Sequence, residues 1–93
     1  AGLEGEASKL VKPLRVKNAP VHLECKYMQS IQMPCWHEGR ENWVIFGEVV
    51  GIHVDPKIIK DGLVDVTLYQ PVSRLGYMDY SAVTELFQMD RPD

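Results

Sequence analysis

Two long runs of alternating side chains constrain this chain more than any other feature. In Val21–Met33, residues Val21, Leu23, Cys25, Tyr27, Ile31 and Met33 fall on one side, with Gln29 as the polar intruder. His22, Glu24, Lys26, Ser30 and Gln32 fall on the other side with Met28. Period two over this length predicts a half-buried β-strand. Thirteen residues at about 3.3 Å each would reach roughly 43 Å, so the strand is expected to bend or bulge. The second run, Trp43–Val54, is apolar on both sides. Val44, Phe46, Val50, Ile52 and Val54 share a face with Glu48, while Trp43, Ile45, Val49 and His53 share the other with Gly47 and Gly51. Apolar faces on both sides predict a central strand, and the two glycines leave a shallow floor that a backbone or a flat ligand can approach. The connection Pro34–Asn42, containing His37-Glu38-Gly39-Arg40, is short enough for an exposed hairpin loop, so the two runs should pair antiparallel.

After this hairpin the chain is cut into short pieces. Asp55-Pro56 ends the second run, Lys57–Lys60 reads as one helical turn, and Asp61-Gly62 as a tight turn. Leu63–Leu68 alternates weakly and fits a strand or a turn, and Pro71–Leu75 fits a short strand. Met78–Met89 fits either period: Tyr80, Val83 and Phe87 suit a helix, Tyr80, Ala82 and Leu86 a strand. A short strand followed by irregular chain is the preferred reading.

Ninety-three residues bound the chain to one small domain. Residues 1–20 form an extended, polar segment in which Pro13 and Pro20 interrupt any helix, and it is expected to add little to a core. The remaining residues, about seventy, approach the size at which a lone core becomes marginal. The chain starts at Ala1 without a methionine, and membership of a larger fold is the expectation. The formal charge of −3, without a basic stripe, argues against a nucleic-acid surface. No run reaches the length of a membrane helix, and the Gly/Glu/Lys-rich start is not a signal peptide. Cys25 and Cys35, the two cysteines, are read as reduced thiols, which suits a cytoplasmic protein. Cys25, on the apolar side of its strand, is expected to be buried. No metal-ligand spacing, no G-x-G-x-x-G and no Walker loop is present, which excludes a Rossmann domain and an NTPase.

His53, at a strand end on the glycine-bearing face, can donate a proton or hydrogen-bond an electron-rich ligand; the plainer alternative is a core or rim histidine that satisfies a carbonyl. Arg74 can pair with a phosphate or carboxylate or stack on a ring, or else form an ion pair with Asp79, Glu48 or Asp65. Gly76 is expected to supply a backbone conformation that other residues avoid. Tyr77 and Tyr80 offer flat apolar faces with a hydroxyl, and in strand geometry they would point to opposite faces. Packing is the commoner role for such tyrosines.

The stretch from Asn42 to Tyr80 resembles the flavin reductase-like, FMN-binding split-barrel family. The residues that carry the resemblance are Gly47-Glu48-Val49-Val50 with His53, then Asp61-Gly62, then Pro71 with Arg74-Leu75-Gly76 and Tyr80. Glu24-Cys25 is similar to a pair in the preceding strand of that family, while Tyr77 stands where the family often has a second glycine. The resemblance implies an all-β fold, an antiparallel split β-barrel, of which residues 21–93 would be the C-terminal half. It implies FMN near the interface of a homodimer and hydride from NAD(P)H passed to a flavin. His53 would be catalytic, with Arg74, Gly76, Tyr77 and Tyr80 on the cofactor. Expected partners are the absent N-terminal half of the domain, a second copy, and a flavin-dependent monooxygenase that uses the reduced flavin. On their own these 93 residues should be inactive, bind FMN weakly or not at all, and expose open strand edges. The alternative is a non-catalytic flavin-binding, electron-transfer or dimerisation module on the same fold.

Overall fold

A computed structural model describes residues 2–92. The architecture is all-β: eight strands, one 3-10 turn and one turn of α-helix. The strands form four two-stranded ladders, β1 with β2, β3 with β4, β5 with β6 and β7 with β8, and no closed barrel forms among the described residues. The chain divides into two compact units, Ala1–His53 and Val54–Asp93.

In the first unit, β3 (Val21–Met33) and β4 (Asn42–Val54) form the long hairpin that the alternation predicts. Their facing contacts run in opposite senses along the chain. A Cβ built on Gly51 would lie 3.6 Å from Glu24 Cβ, and one on Gly47 would lie 3.3 Å from Cys25 Cβ. Gly47 and Gly51 share a parity while Glu24 and Cys25 do not, so the register is not constant between these contacts. Such a change is the signature of a bulge and supplies the irregularity expected of so long a pair.

Three expectations about this hairpin need correction. Among the described residues β4 pairs with β3 alone, so it is not a central strand, and large apolar side chains on both of its faces, Ile45 and Ile52 among them, remain exposed. Cys25 is exposed rather than buried, because no second layer covers the apolar side of β3 in this unit. The buried member of β3 is instead Glu24, 3% exposed, which the alternation puts on the polar side. The reason lies in the first twenty residues. They are not featureless: β1 (Gly5–Glu6) pairs antiparallel with β2 (Arg15–Val16) in the register Gly5↔Val16 and Glu6↔Arg15. Lys17 N–H donates to Glu4 O at 2.9 Å, and Ser8 Oγ to Pro13 O at 2.6 Å, which closes the intervening loop. This small ribbon supplies the groups that cover Glu24.

In the second unit, Asp55 accepts from Lys57 N–H at 3.0 Å and caps a 3-10 turn over Pro56–Ile58. Proline at the first position suits such a start, since its missing N–H would be unpaired there anyway. Ile58 is the one buried hydrophobic side chain among the described residues. β5 (Ile59–Lys60) and β6 (Leu63–Val64) are joined by Asp61-Gly62, at φ +53° and +78°. Positive φ at both central residues is the hairpin turn for which Asp-Gly is suited. Asp65 then caps α1 (Val66–Tyr69), accepting from Thr67 N–H at 3.0 Å and Thr67 Oγ1 at 2.6 Å. The Thr67 bonds hold the Asp65 carboxyl below its ordinary value. β7 (Val72–Gly76) and β8 (Asp79–Ala82) form the last hairpin, closed at its base by Val83 N–H on Pro71 O at 3.0 Å.

Candidate functional site

Two constellations carry the chemistry-bearing residues, one in each unit. The first is built around Glu24. Its Oε1 accepts from Lys9 N–H at 3.0 Å and from Leu10 N–H at 2.6 Å. Its Oε2 accepts from Lys9 N–H at 3.1 Å and from His53 Nε2. The Arg15 guanidinium stands 4.0 Å from Oε2 through Nη1 and 3.2 Å from Glu6 Oε1 through Nε. Neither of these buried nitrogens makes an aligned hydrogen bond, so Arg15 acts as a nearby charge. The Leu10 amide, followed by the Lys9 amide and His53, outweighs burial and holds the Glu24 carboxyl down at about 2. A carboxylate that accepts several backbone N–H groups is expected to behave so. Glu24 is therefore ionised throughout the physiological range.

His53 is the penultimate residue of β4, with its side chain one quarter exposed. The ring of His22 stands edge-on to it with centroids 6.4 Å apart, and His22 Nε2 donates to Val16 O. Beside this cluster a recess of about 350 Å³ lies between residues 8–19 and the start of β3, with Arg15, His22, Glu24 and Cys25 among its lining. The floor expected over the glycines of β4 is filled by the chain itself. A Cβ on Gly51 would lie 3.0 Å from Leu10 Cδ1, so the Leu10 side chain covers Gly51 while the Leu10 amide binds Glu24.

The second constellation is the β7–β8 hairpin, which brings together four of the residues singled out by the sequence. Arg74 pairs directly with Tyr80 across the ladder, and Gly76 pairs with Asp79 after a register shift. Gly76 has φ +149° and Tyr77 φ +48°. A Cβ on Gly76 would meet nothing within 4 Å. The glycine is thus required by its backbone conformation, as expected, and not by crowding. Arg74 Nη2 donates to Tyr77 O at 3.4 Å. Of the ion pairs expected as alternatives for Arg74, those with Asp65 and Asp79 do not form among the described residues, and its side chain is exposed. Tyr77 is not in a strand: it begins the two-residue turn Tyr77-Met78 and is 96% exposed, while Tyr80 lies on β8. The opposite-face relation expected of two strand residues therefore does not apply. Sequence reasoning missed Glu24 and Arg15 as members of the first cluster. A charged residue adjoining the cysteine inside a strongly β-patterned run was the available signal for Glu24; Arg15 carried none.

The fold places both constellations on a known architecture. The chain superposes on nitrilotriacetate monooxygenase component B from Bacillus cereus with a TM-score of 0.81 at 24% identity, over 94% of this chain and 43% of that one. It superposes on 2-nitrobenzoate 2-nitroreductase from Pseudomonas fluorescens with a TM-score of 0.77 at 27% identity, over 98% and 45%. Its fold is that of part of these two proteins. In sequence it is 40% identical over 77 residues to an uncharacterized protein of Aquifex aeolicus, covering 82% of this chain and 36% of the relative. It is 34% identical over 94 residues to an uncharacterized protein of Halalkalibacterium halodurans, covering 99% and 44%. The chain thus spans less than half the length of these relatives and structures. No protein-family model matches it. No helix among the described residues is long and apolar enough to cross a membrane.

Proposed function

We propose that this chain is part of a flavin reductase-like oxidoreductase that binds FMN and reduces flavin with hydride from NAD(P)H. The observation that carries the reading is the agreement of two likenesses, one of motifs and one of fold. The Asn42–Tyr80 stretch bears the motifs of the flavin reductase-like family, and the fold matches a monooxygenase component and a nitroreductase over nearly the whole chain. The β7–β8 hairpin suits a flat anionic ligand. Arg74 offers an exposed guanidinium free of Asp65 and Asp79, Tyr80 stands beside it, and the Tyr77-Met78 turn exposes backbone and an aromatic face. FMN, when bound, supplies the hydride acceptor; the chain supplies the surfaces that orient it. His53 is the residue assigned to proton handling, and Arg74, Gly76, Tyr77 and Tyr80 those assigned to the cofactor. The remainder of the domain is assigned to sequence outside this chain, in a homodimer. One neighbour is a component of a monooxygenase, which supports a partner monooxygenase as the user of reduced flavin.

Titration of the intact protein with FMN, followed by quenching of flavin fluorescence, tests the binding half of this reading. Saturable binding is expected, weakened by Arg74→Ala. Quenching that never saturates contradicts it.

A further inference from the structure

The N-terminal ribbon, Glu24 and His53 are connected in a way that neither the alternation pattern nor the family resemblance indicates. Glu24 is 2% exposed in its side chain, and both of its oxygens are engaged. As an ionised carboxylate it can only accept hydrogen bonds. The imidazole nitrogen that faces it, Nε2, must therefore carry the hydrogen. The other nitrogen, Nδ1, makes no hydrogen bond with the protein among the described residues, and the ring is one quarter exposed. The charged and titratable groups around this pair are Arg15, at 4.0 Å from the carboxylate, Glu6 behind Arg15, and the edge-on ring of His22.

We propose that Glu24 is a positioning residue that locks His53 in the Nε2–H form, making Nδ1 the atom that exchanges a proton with a ligand. The Lys9 and Leu10 amides hold Glu24 for this task. The arrangement has the logic of a buried carboxylate that orients a catalytic imidazole, where the wrong tautomer costs most of the rate. In the donating direction the Nδ1–H bond of an imidazolium breaks, a basic oxygen or nitrogen of the ligand gains the proton, and Nδ1 keeps the electron pair. In the accepting direction the reverse occurs, and no other reactant is needed. The part of the proposal that concerns turnover rests on the flavin reductase reading; the part that concerns the tautomer does not.

The substitution Glu24→Gln discriminates by simple hydrogen-bond accounting. Its single amide oxygen is required by the Lys9 and Leu10 N–H groups, so its NH2 turns to His53 and donates to Nε2, which forces the proton onto Nδ1. Long-range nitrogen–proton correlation spectra of the intact protein labelled at histidine report the tautomer directly. The expected results are Nε2–H for His53 in the wild type, Nδ1–H in Glu24→Gln, and a fall of about tenfold or more in NAD(P)H-dependent kcat with KM little changed. A wild-type His53 protonated on Nδ1 overturns the proposal, and this measurement stands even if the variant does not fold. An unchanged tautomer in folded Glu24→Gln, or a switched tautomer with unchanged kcat, also overturns it. Absence of any flavin reduction by the wild type contradicts the reductase reading instead, and the spectra alone then decide the tautomer lock.

Discussion

Arg74 and Tyr80 stand directly opposite each other across the β7–β8 ladder. Directly paired residues of an antiparallel ladder share a face, so a guanidinium and a phenol are presented side by side next to the Tyr77-Met78 turn. Among the described residues no ion pair to Asp65 or Asp79 ties Arg74 down. Arg74→Ala should therefore change stability by no more than about 0.5 kcal/mol. The same change should weaken FMN binding by about tenfold or more, since a charge-assisted hydrogen bond contributes about 1.5–3 kcal/mol. One thermal melt and one flavin titration check this. A large loss of stability with unchanged flavin affinity would make Arg74 structural.

The adjoining glycine gives the complementary result. Gly76→Ala meets open space but must adopt φ +149°, a conformation that L-residues rarely take. A cost of about 1–3 kcal/mol is expected from backbone strain alone. Chemical denaturation measures it, and an unchanged midpoint would show that the turn relaxes freely.

Gly47 and Gly51 lie on the same strand yet should respond differently to alanine. At Gly51 the nearest atom to the new methyl is Leu10 Cδ1 at 3.0 Å, the free end of a flexible side chain. At Gly47 the neighbours are Cys25 Cβ at 3.3 Å and Lys26 O at 3.4 Å, which are fixed to the facing strand. Gly47→Ala should cost about 1–3 kcal/mol by overpacking, and Gly51→Ala less than about 1 kcal/mol. Unfolding midpoints in urea compare the two directly, and a greater loss at Gly51 would contradict the assigned contacts.

Glu24 predicts an acid limb in the stability curve. Its folded-state pKa lies at about 2, below the ordinary 4.5. A depressed carboxyl contributes stability that is fully present above the unfolded value and is lost as the pH falls through the folded one. Stability should therefore decline between about pH 4.5 and pH 2. Glu24→Gln should be less stable than wild type at neutral pH and should lack this component of the decline. Urea unfolding across that range tests it, and parallel curves for the two proteins would exclude Glu24 as the source.

Much of this structure is legible from side-chain alternation and turn chemistry. Val21–Met33 emerges with the predicted bounds, and the second strand begins one residue earlier, at Asn42. Asp61-Gly62 forms the tight turn its composition requires, and β7 and β8 lie where short strands are expected. The helical turn expected over Lys57–Lys60 sits one residue earlier, as a 3-10 turn that gives way to β5, because Asp55 and Pro56 start it sooner. What alternation could not reveal is burial. It places Glu24 on a polar strand face, but the groups that bury it come from Lys9 and Leu10, fifteen and fourteen residues away, and are backbone amides with no signature in side-chain pattern. The same blindness applies to Cys25, whose apolar side of β3 has no cover in its own unit. His53 and Arg74 were both visible as candidates, whereas the carboxylate that orients His53 was not.

Anaerobic mixing of the intact protein with FMN and NADH or NADPH tests the central claim most directly. If the chain belongs to a flavin reductase-like oxidoreductase, the visible absorbance of the flavin bleaches with multiple turnovers once a free-flavin excess is supplied. Replacement of His53 by alanine slows the bleaching without abolishing flavin binding. Tight FMN binding with no bleaching by either nicotinamide would contradict the account and leave a flavin-binding protein that does not take hydride from NAD(P)H.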